Sequence, residues 1–468
     1  MSPYFEPNWA SLATYPIPDW FRDAKLGIFV HWGVYSVPAW GNEWYPRNMY
    51  READPEQVAF FRHHCERWGH PGTFGYKDFI PLFGGERWVP EAWVDLFAAA
   101  GARYIVPVGE HHDGFPMYAS PFTRWNAAEM GPRRDVCLEL MRATRARGLR
   151  FGVSSHRAYN WRYYTFDPSY DTVDPAFSGL YGRAHPPEAP ADGHFLSDWF
   201  ARTLHLMDHL EPDLLWFDFG WHAEEFASWR PQVVAEYYNR ARTWGREVVL
   251  QYKGGIPEGV AVLDVERGGL AGLRSAPWQT DTSVSARSWG YLEDDTFKTA
   301  ATLIQDLADI VSKNGNLLLN VGPRPDGTIP EGAEARLRAL GAWLATNGEA
   351  IYGTRPWRTY GEGPTAVGGG AFSEGTRAPL TPRDIRYTCR PGEGLLYAIV
   401  PGQPETRVLL TALADPAHPC PPVDRIRLLG SDAAIPFRWT EAGLELTVPA
   451  QRPHGEALAF ALAGGASG

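Results

Sequence analysis

Cysteine is scarce. Cys65, Cys137, Cys389 and Cys420 are the only four, and no two of them form a CxxC pair. Such spacing excludes a zinc knuckle and a dense disulfide framework, leaving thiols that are expected to stay reduced. Long apolar runs are also missing: no stretch of about 18 apolar residues occurs, so no helical membrane span is expected. Residues 1–7 lack the basic-then-apolar pattern of a secretory leader, and a cytoplasmic location is the expectation. Nor is there a basic excess. The net charge of −11 gives no support to binding of nucleic acid or acidic membranes, which require basic patches. No internal repeat is found. What the chain does have is length and aromatic rings. Its 468 residues exceed what one core fills, so two domains are expected. Its 20 Trp, 21 Tyr and 23 Phe suit the binding of sugar rings, although a large core consumes them too.

The stretch Leu214-Leu215-Trp216-Phe217-Asp218-Phe219-Gly220-Trp221 organises the rest. Four apolar residues run into one carboxylate, as in a strand buried on both faces that ends at an opening. In a barrel of parallel strands, the C-terminal strand ends are where active sites are built. The plainer alternative is an aspartate capping the next helix.

Seven further short strands are predicted at 26–33, 104–108, 149–155, 248–251, 261–266, 278–281 and 316–321. Helical patterns fall at 92–100, 135–147, 195–210, 231–244, 296–313 and 334–346. In 195–210, Leu196, Phe200, Leu204 and Met207 recur at helical spacing. This alternation predicts a (β/α)₈-like TIM barrel over residues 1–353. Residues 361–382 are rich in Gly and Pro and read as a linker or long loop. Beyond them period-two runs take over, such as Ile385, Tyr387, Cys389 and Leu458, Phe460, Leu462, which predict an all-β sandwich over 354–468. Residues 464–468 read as a frayed tail.

Ionisable residues gather at the predicted strand ends: His31, His111, His112, His156, Asp218 and Glu266. Two carboxylates facing one pocket can cleave a glycosidic bond. In a retaining enzyme one attacks the anomeric carbon while the other protonates the leaving oxygen. Asp218 and Glu266 are the candidates, although Glu266 beside Arg267 could equally be half of a surface ion pair. His31, His111 and His112 could bind a metal or hydrogen-bond to substrate hydroxyls. Neighbouring strand residues point to opposite faces, so His111 and His112 act together only if the strand has ended before them.

Five motifs in order carry a resemblance: LGIFVHWGVYSVPAWGNEWYPR (26–47), HHDGF (111–115), LWFD (215–218), SWGY (288–291) and DIVSKNGNLLLNVGPRPDGTIP (309–330). From about Trp20 onward the chain resembles the α-L-fucosidases of glycoside hydrolase family 29. The resemblance implies a catalytic barrel followed by a β-sandwich, a fucosylated glycoside as substrate, a retaining mechanism and no cofactor. Asp218 matches the nucleophile. His31, Glu43, Trp44, His111 and His112 match residues that hold the sugar hydroxyls, and Trp289 matches an aromatic wall against the sugar's apolar face. Glu266 falls where some members keep the general acid/base. The chain departs from the usual pattern at Ser154-Ser155-His156, at Gln279, at Glu110 where lysine is common, and at Lys253 where arginine often serves. Related sugars such as a β-D-galactoside or β-D-fucoside, a metal-dependent hydrolase and a non-catalytic sugar-binding protein are the alternatives.

Overall fold

A computed structural model describes residues 4–414 and 423–464, so Cys420 and the tail from 465 onward lie outside the described residues. Eight parallel strands close a barrel in sequence order. They are β1 (Leu26–Val30), β2 (Tyr104–Glu110), β3 (Arg150–Ser155), β4 (Leu214–Phe217), β5 (Val249–Tyr252), β6 (Val262–Asp264), β7 (Trp278–Ser283) and β8 (Gly315–Val321). All four residues of β4 are buried, as a strand covered on both faces must be. Leu214 and Trp216 fill the barrel interior with Phe29, Val106, Val249, Val262 and Leu318. Leu215 and Phe217 face the surrounding helices. Period-two alternation therefore aims the next inward position, Asp218, at the mouth of the barrel.

Some elements differ from the sequence reading. β6 ends at Asp264, so Glu266 sits two residues beyond its strand, and β7 runs on to Ser283. The helix Gly193–Leu210 turns Phe195, Trp199, Leu206 and Met207 inward, while Phe200 and Leu204 are only half-buried. The larger rings, Trp199 above all, set the buried face. Asp135 caps the helix Val136–Ala146, its carboxylate accepting the Leu138 N–H at 2.9 Å.

Eight more strands follow: β9 (Arg355–Glu362), β10 (Ile385–Arg390), β11 (Leu395–Pro401), β12 (Arg407–Leu410), β13 (Arg425–Leu428), β14 (Phe437–Thr440), β15 (Gly443–Thr447) and β16 (Ala457–Ala463). They form antiparallel sheets of order β13-β16-β11-β10-β9 and β12-β15-β14. Leu396, Ala398 and Val400 of β11 face the smaller sheet. Tyr397 and Ile399 on the other side join the core around the barrel. The five-stranded sheet is thus covered twice, by its partner sheet and by the helices Ala300–Ser312 and Glu331–Asn347.

Candidate active site

The residue directly after a strand is the recurring element of the site. His31 follows β1, His111 follows β2, His156 follows β3, Asp218 follows β4 and Lys253 follows β5. Because β2 ends at Glu110, His111 and His112 both lie beyond it and both reach the pocket. Gly220 then turns the chain at φ 102°, and a Cβ there would sit 3.0 Å from the Tyr159 amide nitrogen, so the turn after Asp218 needs glycine. The resulting pocket is lined by His31, Glu43, Trp44, His111, His112, Asp218, Glu266 and Trp289. All eight candidates from the sequence therefore share one pocket. His156, Trp216, Phe219, Lys253 and Asp281 line it too.

Asp218 is almost fully buried and heavily donated to. Oδ1 accepts from Lys253 Nζ at 2.9 Å, and Oδ2 lies 2.9 Å from His156 Nδ1 and 3.1 Å from His112 Nε2. Burial alone would raise its carboxyl, but the Lys253 charge and the two imidazole contacts hold it well below the usual range. A carboxylate only accepts, so His156 must carry its proton on Nδ1, which leaves Nε2 to take the Ser154 hydroxyl at 2.9 Å. Burial keeps His156 neutral, with its pKa down at about 4. The Ser154-Ser155-His156 departure thus has a defined task, which is to brace Asp218.

Lys253 Nζ also reaches Glu266 Oε2 at 2.5 Å and sits 4.7 Å over the Trp216 ring. Burial pushes the Glu266 carboxyl up, and the Asp218 charge adds to this against the pull of Lys253. One ammonium therefore links an ionised carboxylate to a carboxyl that holds its proton more tightly. Of the other acids, Glu110 is turned away to Arg157 at 3.2 Å and Arg202 at 3.4 Å. Asp281 lies 3.7 Å from Lys253 on the floor, where burial and Asp264 raise its carboxyl far above the usual range. Gln279 hydrogen-bonds to Tyr104, Gln251 and Asp264 inside the barrel and does not touch the pocket.

The remaining side chains are held by long-range hydrogen bonds. Asn320 Nδ2 donates to the Trp289 carbonyl at 2.7 Å, which fixes its amide and leaves Oδ1 to accept from His31 Nδ1 at 2.7 Å. His31 then presents a bare Nε2, neutral because burial holds its pKa well down. Glu43 accepts from the Ser288 hydroxyl at 2.9 Å and the Trp289 N–H at 3.0 Å, so two distant motifs are tied together. Trp44 stacks against Phe219 at 5.9 Å.

Among the described residues, two sets could hold a metal: His31, His111 and His156, and His112, His156 and Asp218. Both use His156, whose two nitrogens are already taken by Asp218 and Ser154. A metal would have to displace that brace, so the donor set fits poorly. Asn320 was not singled out in the sequence, whereas His156 and Lys253 were noted there without a role. Those two stand where a strand has just ended, and that position was the signal available.

A parallel barrel with two carboxyls joined by one ammonium at its C-terminal mouth, followed by a β-sandwich, is an architecture able to cleave glycosidic bonds. The family model for α-L-fucosidase matches residues 1–349. Rat tissue α-L-fucosidase is 36% identical over 367 residues, covering 77% of this chain and 75% of its own. Human plasma α-L-fucosidase is 33% identical, covering 84% of this chain and 78% of its own. The Thermotoga maritima α-fucosidase, solved in complex with fucose, superposes with a TM-score of 0.78 at 30% identity, over 98% of this chain and 100% of that one. This chain belongs to the α-L-fucosidase family.

Proposed function

We propose that the chain is an exo-acting, retaining α-L-fucosidase that needs no cofactor. Asp218 attacks C1 of a terminal α-L-fucoside and forms a glycosyl-enzyme. Glu266 protonates the departing oxygen and later deprotonates the water that releases the sugar. Nε2 of His31, together with Glu43, Trp44, His111 and His112, receives the sugar hydroxyls, and Trp289 packs on the apolar face.

The observation that carries this reading is the shared contact at Lys253. Because Nζ touches both carboxyls, their nearest oxygens lie within about 5.5 Å of each other. That supports the close spacing of retaining enzymes, roughly 5–5.5 Å, over the roughly 6.5–9.5 Å of inverting ones. The electrostatics agree. Once Asp218 becomes an ester it loses its charge, so its repulsion of Glu266 disappears and Lys253 favours the ionised base needed for the second step. A Thermotoga maritima relative solved with a mechanism-based inhibitor, at 29% identity, is in keeping with a covalent step.

The test is a screen of p-nitrophenyl glycosides with and without a chelator. Turnover of the α-L-fucoside, unaffected by chelation, is expected. Preference for the β-D-galactoside or β-D-fucoside would reassign the sugar, and loss of activity on chelation would favour a metal-dependent hydrolase. Cytoplasmic location goes with the free thiols of Cys65, Cys137 and Cys389, and cell fractionation checks it.

A further inference from the structure

The segment between β9 and β10 returns to the barrel and lies against the loop that carries Glu266. Gly370 and Gly269 exchange backbone hydrogen bonds, with Gly370 N–H donating at 2.8 Å. Two residues on, Phe372 N–H donates to the Glu266 carbonyl at 2.7 Å, and Glu374 N–H donates to the Arg267 carbonyl at 3.0 Å. The approach is close enough that a Cβ on Gly268 would sit 2.1 Å from the Gly370 carbonyl oxygen. The Arg267-Gly268-Gly269 break is therefore the place where this strap can dock.

Glu374 anchors it. Its carboxylate takes Arg267 Nη1 at 2.8 Å on one oxygen, and Lys298 Nζ at 2.8 Å and the Thr282 hydroxyl at 2.5 Å on the other. Thr282 belongs to β7, so the barrel wall and the Glu266 loop are held by one side chain. Arg267 in turn lies 4.6 Å over the Trp289 ring, which lines the pocket. Glu266 lies past the end of β6, where its neighbours Val265 and Arg267 still donate to the Gln279 and Asp281 carbonyls of β7 at 2.9 and 2.8 Å, and the strap takes the carbonyl of Glu266 itself. From this arrangement we infer that Glu374 is a positioning residue for leaving-group protonation, holding the Glu266 loop and, through Arg267, the Trp289 wall at the geometry the reaction needs. This inference rests on the acid/base reading of Glu266. It makes the second domain a working part of the active site.

The test compares Glu374→Gln and Glu374→Ala with Glu266→Ala on fucosides of good and poor leaving groups, with thermal unfolding followed in parallel. Glu374→Gln keeps the shape and should fold. A poorly aimed general acid costs most where protonation is most needed. For the Glu374 variants, kcat/KM on poor leaving groups should fall about 10- to 100-fold, part of the 10²–10⁴ that a general acid supplies, while kcat/KM on activated aryl fucosides, which reports formation of the glycosyl-enzyme alone, falls about twofold or less. In a Glu266→Ala background, Glu374→Gln should add no further leaving-group dependence. An equal loss on all substrates, or no loss in Glu374→Gln, overturns the inference while Glu266→Ala still shows its own signature. If Glu266→Ala shows no leaving-group dependence, the acid/base reading falls and this inference falls with it.

Discussion

Lys253 is the residue on which the chemistry turns, because it touches both carboxyls and burial would otherwise strip its charge. The carboxylates around it, Asp218 foremost, keep it protonated. The pH dependence follows with a definite sign. Asp218 is held below its ordinary value and Glu266 above its own, and the proposed roles require Asp218 ionised and Glu266 protonated. The rate should therefore rise as Asp218 ionises at low pH and fall as pH climbs through the raised Glu266 value. Glu266→Ala should lose that basic limb and cleave poor leaving groups about 10²–10⁴-fold more slowly. With an activated substrate it should accumulate the glycosyl-enzyme. A retained basic limb would pass the role to another acid. Asp218→Gly should fold yet lose nearly all turnover, since it removes the carboxylate assigned to attack C1. Azide should partly restore it and give a glycosyl azide of inverted configuration, and near-normal activity without azide would refute the assignment. Purified protein should carry no stoichiometric transition metal, because the only imidazole shared by both possible ligand sets is committed to Asp218. Elemental analysis before and after chelation checks this.

Strands and helices were the more legible scale, and the reasons are physical. β1 to β4 are short, largely apolar and each followed by an ionisable residue, and β8 carries the run Leu317-Leu318-Leu319, so these strands stand out by pattern. β7, reading Trp278–Ser283, is polar because its inward residues join the hydrogen-bonded floor with Gln251 and Asp264, and apolar periodicity could not mark its length. The strap was not legible at all. A segment rich in Gly and Pro has no period, and its docking depends on backbone pairing with a loop about 100 residues away. The motif at 309–330 shows the same division. Asn320 positions His31, whereas Asp309 and Lys313 build a buried ion cluster with Arg386 of β10. Asp309 lies 2.6 Å from Arg386 Nε and 2.8 Å from Lys313 Nζ. Asp309→Ala would leave two buried cations without that carboxylate and should cost about 3–5 kcal/mol. Urea denaturation reads it, and a loss below 1 kcal/mol would contradict the placement.

At the scale of the whole molecule, barrel and sandwich share a core. Tyr397, Ile399, Ala457 and Ala459 belong to the same apolar cluster as the barrel helices, and Trp343 Nε1 donates to the Ala457 carbonyl at 2.9 Å. Each large side chain so buried is worth roughly 1.5–3 kcal/mol. The chain should therefore unfold in one calorimetric transition, and residues 1–353 alone should fail to give soluble, active enzyme. Two separate transitions would show the halves to be independent. The central claim, a covalent fucosyl-enzyme on Asp218, is tested most directly by the intact mass of the protein after exposure to 2-deoxy-2-fluoro-fucosyl fluoride. Fluorine at C2 slows both oxocarbenium-like steps, while the good fluoride leaving group keeps the first step the faster one. The account predicts a gain of one 2-fluorofucosyl unit, mapped by peptide digestion to Asp218. A label on a different residue, or turnover of fucosides to inverted product with no adduct, would contradict it.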